Sequence, residues 1–303
     1  MKLPSNIVYE KIKLEQHDGV YYKRDDLFAP FDTPYVNGGK VRQGLSLILN
    51  NLDYIKNQCD NTIITPVSVH SYQAVVISKI CSLYNIKCII ALGATTKEKA
   101  IKHKTMYLCK LLGSELKVFS KLGFLSVLLS KINEYTKNHP AFLVDYGMNL
   151  THYTESILGV NAHQTQYLPN NIDNIIIPSG SGVSGTGILW GLAKYHKKVK
   201  RVICVHVGPD RKKIMVQNLT PFKLNNYTLK FPRFEMVKSN LQPYGKEIEE
   251  YFGNNIRLDP TYEAKAHRWM KDNINTKKEK TIFWIVGCKP TWDNIKEIEN
   301  ANV

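Results

Sequence analysis

The chain has 303 residues, 43% hydrophobic and 22% charged, with 41 Lys and Arg against 26 Asp and Glu, a formal net charge of +15. These proportions exclude a disordered chain and provide apolar material for a large core, in two lobes at this length. Apolar runs are short and interrupted, so no membrane span is expected, and the N-terminal MKLPSNIVYEKIKL lacks an apolar stretch of signal-peptide length, which makes the cytoplasm the expected compartment.

In chain order, a helix of apolar period covers about 41–52, following Asn37-Gly38-Gly39-Lys40. A strand is expected at 61–68 (NTIITPVS), a helix at 71–84, a strand at 87–93 (KCIIALG) and a helix at 97–113. Next come a strand at 115–120 (ELKVFS), a helix over 122–138, and strands at 140–146, 173–179, 199–208 and 280–287. Strand and helix in alternation imply an α/β fold, doubly wound, with mostly parallel sheets. Such sheets bind ligands beyond the carboxyl ends of their strands, so the polar residues that follow each strand are the ones to inspect.

Three turns stand out. In NIIIPSGSGVSGTGILWGLAKY (174–195) a strand runs into Ser179, Gly180, Ser181, Gly182, Val183 and Ser184 and then a helix, where backbone N–H groups and the positive helix end can hold a phosphate. In PVSVHSYQAVV a strand runs into Ser68, Val69, His70 and Ser71 before another helix. That second anion site suits a carboxylate, and its plainer reading is Ser71 as an N-cap. Third, Lys40 follows two glycines on the first turn of a helix, where an inward amine with a lowered pKa would suit Schiff-base chemistry and an outward one would be an ordinary solvated lysine. An amine, a phosphate cradle and a carboxylate site together fit pyridoxal 5′-phosphate.

With these residues in view, the chain resembles the fold type II (tryptophan synthase β-like) pyridoxal-phosphate enzymes, in the branch of 1-aminocyclopropane-1-carboxylate deaminase and D-cysteine desulfhydrase. YYKRDDLFAP…NGGKVRQ resembles the branch's K-R-D/E-D…G-G-N-K-x-R-K, VSVHSYQ its Q-S-N-H/Q-x-R-Q, SGSGVSGTG its T-G-S-G-G-T-x-A-G, RLDPTYEAKAH its L-D-P-V-Y-T-G-K-A, and LCKLLGSELKV its R-L-L-G-A-E-V. The likeness covers roughly 20–290 in the family's order. It implies Lys40 as the Schiff-base lysine, Ser179–Ser184 as the phosphate loop, Ser68–Ser71 as the substrate-carboxylate loop and Tyr262 facing the cofactor. It also implies a small lobe (45–160) inserted into a large one (1–44 and 161–303), and a homodimer. Departures are Val69 and Gly39 in place of asparagines, Val183 in place of a glycine, and DYGMN (145–149) in place of a G-G-S turn. FWIVGCKPT stands for F-I-H-T-G-G, so the hydroxyl expected near the pyridine nitrogen is missing, with Cys288 and Thr291 as substitutes.

The implied activity is that of a lyase or deaminase that forms an aldimine with an amino-acid substrate and cleaves a bond at or next to Cα, with Lys40, Tyr262 and Ser68 as the catalytic residues. A second reading keeps the cofactor and takes an amino-acid or amine group attached to nucleic acid, as in a modified DNA base, which the +15 charge would favour. A third reads Gly180, Gly182 and Gly185 as a dinucleotide fingerprint with Asp210 on the ribose, and a fourth is a pseudoenzyme. The basic clusters carry no interleaved aromatics, so solvated faces remain their plainer reading. The six cysteines (59, 81, 88, 109, 204, 288) lack metal spacing and are expected to be reduced core residues; no metal site is expected.

Overall fold

The computed structural model describes all residues except 1, 2, 5, 32, 34, 149–153, 226–228, 242–245 and 302–303, together with the side chains of 224, 225 and 301. Its strands are β1 (Leu14–His17), β2 (Val20–Arg24), β3 (Thr62–Pro66), β4 (Lys87–Gly93), β5 (Glu115–Ser120) and β6 (Phe142–Leu143). These are followed by β7 (Ile172–Ser179), β8 (Val199–His206), β9 (Arg233–Lys238), β10 (Tyr251–Phe252), β11 (Ile256–Arg257) and β12 (Thr281–Ile285). One sheet has the order β1-β2-β12-β7-β8-β9, parallel except for the β1–β2 hairpin. A second, β5-β4-β3-β6, is parallel throughout, and β10–β11 is a small antiparallel pair. The α/β class and the mostly parallel sheets are as expected from the alternation of elements.

The central strands are buried on both faces, as parallel strands covered by helices must be: Ile175, Ile176 and Ile177 of β7 and Ile63 and Ile64 of β3 have no exposed surface. Helix Val183–Lys194 backs β7 and packs on helix Thr154–Thr165. That contact is close because Gly191 has no side chain: a Cβ there would lie 2.5 Å from Ala162 Cα and would also strike Ala162 O.

Several details differ from the sequence reading. The expected helix 97–113 is two, Lys97–Ala100 and Lys104–Leu111, with His103 extended between them. Tertiary contacts account for the break: the His103 ring packs on His70 at 4.7 Å and Thr105 donates to Val69 O. The expected strand 140–146 is paired only at Phe142–Leu143 before the chain turns into Tyr146–Met148, and Asn149 of the DYGMN turn lies outside the described residues. The β1–β2 hairpin was not anticipated, although its Asp18-Gly19 turn, with φ of 49° and 81°, is a signature of a two-residue hairpin loop.

A buried ionic cluster joins the segments that carry the site. Asp25 accepts from Lys23 Nζ at 2.9 Å through Oδ1 and from Trp284 Nε1 at 2.8 Å through Oδ2, with Arg42 Nη2 4.0 Å away. Lys23 also donates to Gln164 Oε1 at 3.0 Å, and Arg42 stacks over Phe28 at 3.8 Å and donates to Val8 O. Lys23, Asp25 and Arg42 are each no more than 1% exposed. The cluster therefore ties β2, β12, helix Gly39–Asn50 and, through Lys23 and Gln164, helix Thr154–Thr165 together.

Removing one partner of such a cluster strands the others, so Asp25→Ala should lower unfolding stability by about 3–5 kcal/mol in urea titrations. Gly191→Ala should cost about 1–3 kcal/mol by overpacking, whereas alanine at Gly208, which has open space around it, should be close to neutral.

Candidate active site

A cavity of about 290 Å³ opens where the carboxyl ends of β3, β7, β8 and β12 converge. Its walls include Lys40, Ser68, Ser71, Ser179, Gly180, Ser181, Gly182, Ser184 and Tyr262, which come from distant parts of the sequence. Val69, His70 and Val183 do not line it. Val69 packs against the main core, His70 on His103, and Val183 is buried at the start of its helix.

Lys40 sits on the first turn of helix Gly39–Asn50. The residue retains accessible surface because it borders the cavity, yet its amine lies deep among protein atoms, and this burial alone pushes its pKa down to about 8. Among the described residues, no carboxylate pairs with it to reverse that effect. Gly38 sets the direction in which the helix begins. Its φ is +90°, and a Cβ there would strike Val286 O and lie 2.7 Å from Gly287 Cα. Gly38 N donates to Phe28 O and Gly39 N to Val286 O, so the lysine's turn is pinned to the end of β12.

The phosphate-type cradle is the turn from β7 into helix Val183–Lys194. Gly182 is its N-cap in the left-handed region, with no side-chain cap on the first turn of the helix. Ser179 Oγ is buried with no hydrogen-bond partner among the described residues, as is Ser68 Oγ across the cavity. Ser184 Oγ receives only a long bond from Gln43 at 3.5 Å, and Ser181 Oγ donates to Gly147 O. Two unpartnered buried hydroxyls around an amine and a positive helix end form a donor set that wants an anion. The ring of Tyr262 closes over Gly180, where a Cβ would meet Tyr262 Cε1 at 2.9 Å.

On the opposite wall, helix Tyr72–Tyr84 starts at Ser71, whose hydroxyl makes no capping bond and so is not spent on its own helix. Tyr72 OH accepts from Asn37 N at 2.7 Å, and Asn37 Oδ1 accepts from Cys288 N at 2.9 Å, which links this wall to the lysine loop.

Four charged wall residues escaped the sequence reading: Asp259, Glu263, Arg211 and Lys289. Glu263 accepts from Val286 N and Gly287 N at 3.2 Å each, and its carboxyl is held well above the ordinary range by burial and by the Asp259 charge. The signal for Glu263 was spacing: with Ala266, His267 and Met270 it forms the buried face of helix Glu263–Asn273. Asp259 is committed to Thr261 N, Tyr262 N and Lys289 N. Cys288 and Thr291 do not line the cavity, and Thr291 is paired with Asn294 at the start of the last helix. Asp210, the ribose candidate, accepts from Lys212 N and is not a wall residue either. No cluster of three or more His, Cys, Asp or Glu suited to a metal occurs among the described residues, and no helix there is long and apolar enough to cross a membrane.

No family model matches the chain. It is 25% identical to an O-seryl-dTMP PLP-dependent decarboxylase of Salmonella phage ViI, over 93% of this chain and 81% of that protein. Among solved structures, a homologue of ACC deaminase superposes with a TM-score of 0.68 at 22% identity, over 93% of this chain and 88% of the other. Diaminopropionate ammonia lyase from Escherichia coli has a TM-score of 0.60 at 12% identity (97% and 82% covered), and threonine deaminase isoform 2 from Solanum lycopersicum 0.58 at 14% (93% and 78%). The topology, with a buried amine and a glycine-serine helix turn on one cavity, is therefore that of a fold type II pyridoxal-phosphate enzyme, and this chain is a divergent representative of that fold.

Proposed function

We propose that the chain is a pyridoxal-5′-phosphate-dependent enzyme that removes the α-carboxylate of an amino acid carried on a nucleotide. The observation that carries the cofactor reading is the Lys40 amine, lowered to about 8 by burial and facing the same cavity as the open cradle hydroxyls. The choice of reaction and substrate is supported by the likeness, along 93% of the chain, to a decarboxylase of O-seryl-dTMP.

The residues present fit the group. Lys40 would hold its aldehyde carbon, and Ser179, Ser181, Ser184 and the backbone of 180–184 its phosphate. Glu263 would hold a proton at the ring nitrogen, since Asp259, the other wall carboxylate, is already occupied by three N–H groups. When bound, the cofactor supplies an electrophilic carbon for amines and a ring that accepts the electron pair of a broken Cα bond. Ser68 and Ser71, at the positive end of helix Tyr72–Tyr84, would orient the substrate carboxylate. Tyr262 and the freed Lys40 amine are the groups that can then deliver a proton to Cα.

The enzyme so proposed has a large lobe (1–44 and 161–303) and a small one (45–160), works as a pair of copies, and keeps its free cysteines in a reducing, cytoplasmic setting. Elimination or deamination of a free amino acid is the competing reaction on the same residues.

Supplied with O-seryl-dTMP and with a panel of free amino acids, the purified protein should release one CO₂ for each seryl nucleotide consumed and leave the amine in place. Ammonia and a 2-oxo acid from a free amino acid, without CO₂, would favour the deaminase reading instead. Only the neutral amine attacks an aldehyde, and with a pKa of about 8 roughly one Lys40 in ten is neutral at pH 7. The rate at which cofactor-free protein takes up the cofactor should therefore rise from pH 7 and level off above pH 8, not climb on toward pH 10.

A further inference from the structure

The loop that follows β8 brings one guanidinium to the cradle. Arg211 lines the cavity beside Gly182, where a Cβ would lie 3.3 Å from Arg211 Cβ. Among the described residues its buried Nε has no hydrogen-bond partner and no ion pair involves it. The neighbouring acid is engaged elsewhere: Asp210 Oδ1 accepts from Lys212 N at the start of helix Lys212–Asn225. Arg42, the other arginine with unsatisfied buried nitrogens, differs: it sits 4.0 Å from Asp25, stacks on Phe28 and does not line the cavity. Lys212 and Lys213, next along the chain, are exposed, so Arg211 stands apart from the basic surface to which its sequence neighbours belong.

We propose that Arg211 binds a phosphate monoester at the open edge of the cradle, an inference that rests on the cofactor reading above. A turn of N–H groups and hydroxyls carries no formal charge, whereas a phosphate monoester brings close to two negative charges, and a guanidinium matches it with paired N–H donors. Two phosphates could meet it: that of the cofactor and that of a nucleotide substrate. A substrate without phosphate would have no use for the second arrangement.

The test uses wild-type protein and the variants Arg211→Gln and Arg211→Lys. Cofactor-free protein is titrated with pyridoxal 5′-phosphate by fluorescence quenching, and cofactor-loaded protein with dTMP by calorimetry. Loss of a charge-assisted contact should weaken one ligand about 10- to 100-fold in Arg211→Gln, with a smaller loss in Arg211→Lys, which keeps the charge without the fork. Weakened cofactor with unchanged dTMP assigns Arg211 to the cofactor phosphate. Weakened dTMP with unchanged cofactor assigns it to the substrate phosphate. If both variants bind both ligands like wild type, the role of Arg211 is overturned while the cofactor reading stands. Wild-type protein that takes up no cofactor would overturn the cofactor reading and this proposal together.

Discussion

The site depends on keeping one amine out of bulk water. An exposed lysine is protonated almost everywhere in the accessible pH range, so a neutral amine near pH 8 must be created by the fold around it. Here burial does this without help from a neighbouring cation. The cost of holding that environment is spread over the structure. Gly38 allows the helix to start hard against the end of β12, and Asp25 locks β2, β12 and the lysine's helix to one another. The glycine-mediated contact of helix Val183–Lys194 with helix Thr154–Thr165 fixes where the cradle stands relative to the lysine.

Two titratable groups on the walls, Lys40 and Glu263, are displaced in opposite directions by the same cause. Burial lowers the Lys40 ammonium and raises the Glu263 carboxyl, so both favour their neutral forms. A neutral amine and a neutral acid facing one cavity can exchange protons with a bound molecule at little electrostatic cost, which is what acid–base work near neutrality needs. The acid is accompanied by Asp259, whose oxygens are tied to backbone N–H groups and whose charge contributes to the rise at Glu263.

Much of the fold was legible because the parallel strands are buried on both faces and so read as continuous β-branched runs, such as Ile175–Ile177 and Ile63–Ile64. The two anion-type turns were legible because glycine and serine between a strand and a helix suit an anion. What stayed hidden depended on contacts across the chain. The two-residue strands β10 and β11 have no periodicity to detect, and the break at His103 is settled by the distant 68–71 loop. Glu263 and Arg211 were hidden for another reason: in sequence each is one charged residue among many in a Lys-rich chain, and only tertiary structure turns them toward the cavity. Cys288 and Thr291, expected as substitutes for a missing hydroxyl, lie off the cavity, and the acid beside that strand end comes from a different helix.

The measurement that tests the central claim most directly is borohydride reduction of the cofactor-loaded protein followed by peptide mapping. A pyridoxyl group fixed on the peptide that contains Lys40, and on no other, is the result this account predicts. A label on Lys265 or Lys289 instead, or no fixed label at all, would contradict it.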